Sequence, residues 1–425
     1  MLSLIVFLPL TAAVGLLALP KLSPVVAGRA WVVVSALDLT LIVAVWIRYQ
    51  SPAPGALAFE EQVPWIPGVD SSYHVGVDGL SLPLLAMSAI IFLSCAVYAL
   101  RQGERTRIQA ALFLFLQSVS LGVFVAADLI LFFVFFDLSI VAMYFVIAGW
   151  GHGDAARSAL KFFLYTFLGS LALLAGFIGL YVAAQPHTFD MVRLAQEMPL
   201  AGRPVARGFV LGAILLGLAV KTPTVPFTPG CRQPTRRPRH RISSPGGVLL
   251  KMGTYGFLRV AMPMLPEAWR SWAWIIIAVG VVSVLYGALV ALAQQDLKRM
   301  IAYTSVNHMG YIVMAVGVAG LVAGDNATAR EVAVTGAVTQ MVSHGLITGA
   351  LFLLAGVLHD RAATYDMGAY GGLAGPAPRM ATLFAIGAFA SLGLPGLSGF
   401  IAEFRSSPAV LRPHPSPRSP YSAYC

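Results

Sequence analysis

The chain has 425 residues, 58% of them hydrophobic and only 11% charged, with a mean hydropathy of +0.79. Soluble domains carry about 25% charged residues, so this composition excludes a soluble globular enzyme and a disordered chain. It points to an integral membrane protein. The formal net charge of +10 raises nucleic acid or anionic lipid as a partner, and the positions of the charges must decide. Cys95, Cys231 and Cys425 show neither metal-ligand spacing nor an even disulfide framework.

Apolar runs long enough to cross about 30 Å of hydrocarbon predict an all-α polytopic fold of roughly twelve spans. They lie near 3–19, 29–47, 82–100, 109–126, 129–149, 160–183, 207–221, 246–262, 271–292, 299–320, 332–357 and 380–403. The first is read as a retained helix rather than a signal peptide, because it has no basic start and a second span follows at once. Lys21 and Arg29, then Arg101, Arg105 and Arg107, then Arg157 and Lys161 follow the first, third and fifth spans. Lys298 with Arg299, and Arg361 with Arg379, occupy later loops of the same side, whereas Glu60, Glu61, Asp70 and Asp78 lie opposite. The positive-inside rule then predicts an N-terminus outside. The loop at 184–206 is mixed, with Arg193, Arg203 and Arg207 against Asp190 and Glu197. No soluble domain, nucleotide loop, zinc spacing or nucleophile elbow interrupts the pattern, so chemistry must come from side chains inside the membrane.

A charge at the bilayer centre costs about 2.5–3.5 kcal/mol on insertion scales, which makes each one a candidate functional residue. Asp137 stands in LILFFVFFDLSIVAMYFVIAGW; its bland alternative is a helix-end carboxylate or a packing partner for Ser139. Lys221 in GAILLGLAVKTPTVPF precedes Pro223 and Pro226, where the helix should break. Interrupted helices with an ionisable group at the break are the architecture of transporter ion sites; the alternative is a snorkelling lysine. Lys251 lies in GVLLKMGTYGFLR, with Arg259 further along, and His308 and His344 lie in apolar spans, His344 beside Thr339, Gln340 and Ser343. A lone buried histidine is as readily a satisfied polar group as a relay member. Glu403 closes the last span just beyond Pro395-Gly396. Together Asp137, Lys221, Lys251, His344 and Glu403 describe a polar chain suited to stepwise proton transfer.

The stretches FFVFFDLSIVAMYFVIAGWG, LAVKTPTVPF, GVLLKMGTYGFLR, DLKRMIAYTSVNHMGYI, QMVSHGLITGALFLLAGVLHDR and LGLPGLSGFIAEF resemble the antiporter-like membrane subunits of respiratory complex I, chain M (chain 4 in mitochondria). The resemblance covers nearly all of residues 1–404. It implies a fourteen-helix fold with two inverted five-helix repeats, each containing a broken helix. It divides the chain into N-terminal helices at 1–105, a first repeat at 106–262, an incomplete second repeat at 263–404 and a tail at 405–425. By motif match, Asp137 pairs with Lys221, Lys251 connects centrally, Glu403 ends the path, and His308 and His344 link them. The family's usual fifth-span glutamate is here an aspartate, so its pair with Lys221 must close up or recruit water. Glutamate rather than lysine at 403 distinguishes chain M from its sisters L and N, which are the implied partners beside the lipid bilayer. The implied activity is proton translocation within an NADH:quinone oxidoreductase in the bacterial inner membrane. No cofactor is expected in this chain; NADH, FMN, iron–sulfur clusters and quinone fall to partner subunits. Related alternatives are a subunit of a multisubunit Na+/H+ antiporter or a membrane-bound hydrogenase, or a non-translocating structural subunit.

Two stretches depart from this pattern. Residues 228–245 read TPGCRQPTRRPRHRISSP, which cannot be half of a membrane helix, where the family has a segment like HTWLPDAHTEAPTAGSV. Deleting one C from TTC CAC ACC TGG CTG CCC gives TTC ACA CCT GGC TGC, codons for Phe-Thr-Pro-Gly-Cys, as written from 227 to 231. The tail from 405 has the same Arg-, Pro- and Ser-rich character, and both stretches are expected to be out-of-frame translation; genuine basic loops are the alternative. They hold five and three arginines and no acid, so setting them aside takes the charge from +10 to +2. The basicity is then no partner signal, and no nucleic acid is expected.

Overall fold

The computed structural model describes residues 1–53, 55–100, 106–151, 154–227, 243–322 and 327–406. Arg101, Arg105, most of the 228–245 anomaly and the tail from 407 lie outside the described residues. The helices are α1 (Leu2–Ala18), α2 (Pro24–Arg48), α3 (Ser81–Ala99), α4 (Thr106–Val125), α5 (Leu129–Trp150), α6 (Ala155–Ala183), α7 (Met191–Glu197) and α8 (Pro204–Lys221). They continue with α9 (Ser243–Gly256, extended by a π turn over Phe257–Ala261), α10 (Pro266–Leu292), α11 (Leu297–Leu321), α12 (Ala327–Ala362), α13 (Pro378–Ser391) and α14 (Ser398–Ser406). Among the described residues, nine helices are long and apolar enough to span a membrane. Three of the twelve expected spans fall outside that group for local reasons. At 17 residues α1 is short, α9 is composite, and the run at 380–403 is not one helix. It is divided at 392–397, where Gly393 (φ +68°) and Gly396 (φ +96°) take left-handed backbone that favours glycine. Ile47, Phe209 and Leu292 stand exposed on the outer faces, as lipid-facing side chains do in a fold whose solvent is hydrocarbon.

The loop between α2 and α3, anticipated only as acidic, is an antiparallel hairpin of β1 (Ala58–Ile66) and β2 (Ser71–Val77). The mixed loop at 184–206 contains α7. Both lie at the end of the bundle where α1 begins, since Glu61 of β1 accepts from Leu2 N at 2.9 Å. Tyr98 at the end of α3 donates to Asp360 near the end of α12 at 2.8 Å, which marks the opposite end.

A repeated clamp relates the two ends. Asp128 caps α5, accepting from Ile130 N and Leu131 N, and Asp190 caps α7. The two aspartates form an isolated antiparallel bridge in which Leu129 N donates to Phe189 O and Met191 N to Ala127 O, both at 2.9 Å. At the far end Asp296 caps α11 and Asp366 caps the 3-10 turn Met367–Ala369. There Leu297 N donates to Tyr365 O at 2.9 Å and Met367 N to Gln295 O at 3.0 Å. Thr188 and Thr364 take the same place, each accepting from the aspartate N–H two residues on. The sequence carries this twice, as Asp128-Leu129 with Thr-Phe-Asp-Met at 188–191, and Asp296-Leu297 with Thr-Tyr-Asp-Met at 364–367. Equal clamps at opposite ends are what an inverted repeat produces.

Close backbone approach fixes the middle of the bundle. A Cβ at Gly253 of α9 would stand 2.8 Å from Leu218 O of α8, so α9 lies against the end of α8 only because residue 253 is glycine. Gly253→Ala is expected to lower the amount of assembled protein in membranes several-fold, read by blue-native gel, because overpacking costs about 1–3 kcal/mol.

Candidate proton-relay site

Lys221 is the last residue of α8 and is 8% exposed. Its Nζ donates to Ser139 Oγ at 2.7 Å, contacts Phe136 O at 3.4 Å, and stands 4.5 Å from the centroid of the Phe136 ring. The expected direct pair with Asp137 is not formed: no ion pair joins them among the described residues, and the buried Asp137 Oδ1 has no hydrogen-bond partner. The cause is helical phase. Phe136 and Ser139 lie three residues apart and share a face of α5, whereas Asp137 points about 100° away. Ser139, in sequence only a neighbour of Asp137, is therefore the partner of Lys221.

Lys251 of α9 is fully buried, and its Nζ is hydrogen-bonded to Nδ1 of the buried His344 on α12. Lys251 lies about two turns into α9. The His344 ring lies 5.1 Å, centroid to centroid, from that of His308 on α11. His308 Nδ1 is 3.3 Å from Glu403 Oε1, and Nε2 bonds Ser391 Oγ at 3.1 Å. Gln340 reaches both, with Nε2 at 3.1 Å from His308 Nδ1 and 3.5 Å from Glu403 Oε1. Glu403 is set by the α13–α14 break, since a Cβ at Gly393 would meet its Oε2 at 2.6 Å. Ser343 and Ser398 hydroxyls, 2.7 Å apart, pin α14 to α12.

Four of the six expected residues thus form one line, Lys251–His344–His308–Glu403, while Asp137 and Lys221 lie together at the other broken helix without touching. A further buried acid lies on α2. Asp38 on α2 is fully buried, its Oδ2 accepting from Gln117 Nε2 at 2.6 Å while Ser35 Oγ donates to Gln117 Oε1 at 2.9 Å. An aspartate inside SALDLTLIVAV is the same signal that singled out Asp137. Among the described residues no group of three or more His, Cys, Asp or Glu side chains is placed to hold a metal ion.

Residues 126–413 match the profile of the transmembrane family of NADH:quinone oxidoreductase and Mrp antiporters. NADH-quinone oxidoreductase subunit M of Rickettsia conorii is 35% identical, over 95% of this chain and 80% of its own length. F(420)H(2) dehydrogenase subunit M of Methanosarcina mazei is 37% identical over 86% of this chain and 73% of its own. A chain of respiratory complex I from Thermus thermophilus superposes with a TM-score of 0.85 at 29% identity, covering 97% of this chain and 84% of that one. The profile match spans both broken helices and all six residues from Asp137 to Glu403, and the chain belongs to the subunit M (chain 4) family of NADH-quinone oxidoreductase.

Proposed function

We propose that the chain is a proton-translocating membrane subunit of an NADH:quinone oxidoreductase. The observation that carries this reading is the buried line from Lys251 through His344 and His308 to Glu403, which ends at a broken helix. Asp137, Ser139 and Lys221 form the loading site at the other break. Such sites are electrostatically coupled, because moving one charge in a low-dielectric interior alters the affinity of its neighbours for protons. Charge shifts in adjoining subunits of the L and N type would load and unload the line, and NADH oxidation, flavin, iron–sulfur and quinone chemistry would take place in partner subunits. Deletion of the gene should remove NADH-driven proton pumping. Electron transfer that persisted with sodium tolerance lost would instead indicate antiporter membership.

The chain lies in the bacterial inner membrane with the hairpin end outside. Single cysteines at Asp70 and Ala374, at opposite ends of the bundle, test this. Impermeant maleimide added to intact spheroplasts should label D70C and spare A374C; the reverse would invert the topology. The segments 228–245 and 405–425 are read as out-of-frame products. Sequencing the gene and its transcript should reveal compensating single-base indels between codons 227 and 247 and another near codon 405. An intact frame encoding these residues would remove that reading.

A further inference from the structure

Among the buried titratable side chains outside the proton line, His74 has two acidic partners. His74, on β2, is 2% exposed and stands between two carboxylates. Its Nδ1 is 2.7 Å from Asp190 Oδ2, and its Nε2 is 2.7 Å from Glu60 Oε1. We propose that His74 is a proton-operated positioning residue: as an imidazolium it ties the hairpin to α7 across the start of α5, the helix that carries Asp137 and Ser139, and as a neutral ring it releases one side.

The argument is one of donor count. An imidazolium has two N–H donors, while a neutral imidazole has one donor and one lone pair. With an ionised carboxylate oxygen at 2.7 Å from each nitrogen, the neutral ring must present its lone pair to one of them. That contact is then repulsive and opens. Burial works to lower the basicity of His74, but the Asp190 and Glu60 carboxylates outweigh it and hold its pKa above the ordinary 6.5. Burial likewise works against ionised Asp190, yet His74 and the Arg193 N–H hold its carboxyl below the usual range. A raised folded-state value means that the tie is complete below about pH 6.5 and is lost as pH rises through that higher value.

The clamp is where this matters. Asp190 is one half of the Asp128–Asp190 bridge, and His74 O accepts from Ala127 N at 2.9 Å. Asp128 accepts from Ser71 Oγ at 3.0 Å and from Ser72 N at 3.1 Å. His74 therefore sits where β2, the end of α4, the cap of α5 and the cap of α7 meet. Other charged and titratable groups on or beside these elements include Glu197 at the end of α7, and His187, whose Nδ1 lies 3.0 Å from Tyr181 O. Arg193 lies 3.5 Å from Asp70, Arg259 lies 2.8 Å from Asp78, and Glu61 faces α1. The pH response is thus assigned to the Glu60–His74–Asp190 group. At the far-end clamp the Asp366 carboxylate accepts from Gly368 N at 3.0 Å, and the nearby His359 ring stacks on Tyr365 instead.

The test is hydrogen exchange of the intact membrane complex, corrected for intrinsic rates, read on peptides covering 71–77 and 188–197. Between about pH 6 and pH 9 protection should fall by roughly tenfold in the native protein, the scale of losing one hydrogen bond to a charged group. H74Q has one donor face and one acceptor face, so it should show the lower protection at every pH. Asp190→Asn keeps the acceptor for Arg193 N but loses the charge, and should move the midpoint toward 6.5. The proton-to-electron ratio should follow the same pH step in the native complex and be flat in H74Q. Absence of the step in the native protein, the same step in H74Q, or an unmoved midpoint in Asp190→Asn would overturn the proposal. A protection step without any step in pumping would overturn its positioning role while leaving the proton-translocating function untouched.

Discussion

Lys221→Met in the intact complex is expected to abolish proton translocation while leaving the protein at least as abundant in the membrane as the native form. The two halves of this result follow from the same energetics. Holding an ammonium at membrane depth costs about 2.5–3.5 kcal/mol, and its compensation is modest: the Ser139 hydroxyl, a long contact to Phe136 O and the face of the Phe136 ring. A cation over an aromatic ring contributes about 0.5–2 kcal/mol. Methionine fills nearly the same volume without the charge, so folding should gain or stay level. A residue that costs stability and is kept is retained for what its charge does. The pumping rate should fall by at least about 100-fold, the scale expected for removing a group that takes up and delivers the transferred proton. Ser139→Ala should give a partial loss, since Lys221 keeps Phe136 but loses its shortest contact. Asp137→Glu restores the missing methylene and should bring the carboxylate within reach of Lys221. Normal pumping in Lys221→Met, measured by acid pulse after NADH addition, would remove Lys221 from the path.

The spans were legible because lipid imposes a simple rule: every backbone group must bond within its own helix, and twenty apolar residues in succession have few other uses. The breaks were legible for a related reason, since Pro223, Pro226 and the Gly393–Gly396 run leave little choice of backbone. What remained hidden depends on rotation about helix axes and on long-range pairing. Asp137 and Ser139 are two residues apart in sequence and on different faces in space, so charge type pointed to the aspartate while geometry gave Lys221 to the serine. The hairpin was obscured because its burial lies almost wholly on β2, where His74 to Val77 are buried, while β1 is mostly exposed. Neither strand shows a clean alternation. The clamps were visible in principle. Thr-Phe-Asp-Met and Thr-Tyr-Asp-Met are short, and only pairing each with an upstream Asp-Leu gives them meaning.

The inverted repeat gives the two breaks complementary surroundings. Each clamp ties the first residue of a relay-bearing helix to the segment preceding the broken helix of the same repeat. Asp128 and Asp190 do so for α5 and α8, and Asp296 and Asp366 for α11 and α13–α14. Motion of a broken helix is thereby referred to the helix whose side chains it faces. Lys221 is positioned against Ser139 in the first repeat, and Glu403 against His308 in the second. The ends of the line differ in sign, Lys251 inside α9 and the Glu403 carboxylate beside the α13–α14 break. A proton moving from Lys251 toward Glu403 accordingly runs toward negative charge.

His344→Ala and His344→Gln should separate this transfer from simple polarity. In the native protein Lys251 Nζ is bonded to His344 Nδ1, and His344 Nε2 is buried without a partner. An imidazole can accept a proton on one nitrogen and release another from the second, so the ring relays charge without the residue moving. The freed proton has His308 as its next stop, with ring centroids 5.1 Å apart, and Glu403 Oε1 lies 3.3 Å beyond at His308 Nδ1. Glutamine offers Lys251 an acceptor of similar reach but cannot carry a proton through itself. His344→Gln should therefore assemble normally and pump at least about 100-fold more slowly. His344→Ala removes the acceptor as well and leaves a buried lysine unpaired, which costs about 3–5 kcal/mol when it is charged, so it should also assemble poorly. Glu403→Gln keeps the hydrogen-bonding shape at the α13–α14 break and removes the terminal acceptor, and should match His344→Gln in rate. Pumping in His344→Gln within threefold of the native rate, measured on membranes with equal amounts of assembled complex, would show that protons bypass the histidine pair. Lys251 would then have to communicate with Glu403 through Gln340 and the serines of α12 and α14 alone.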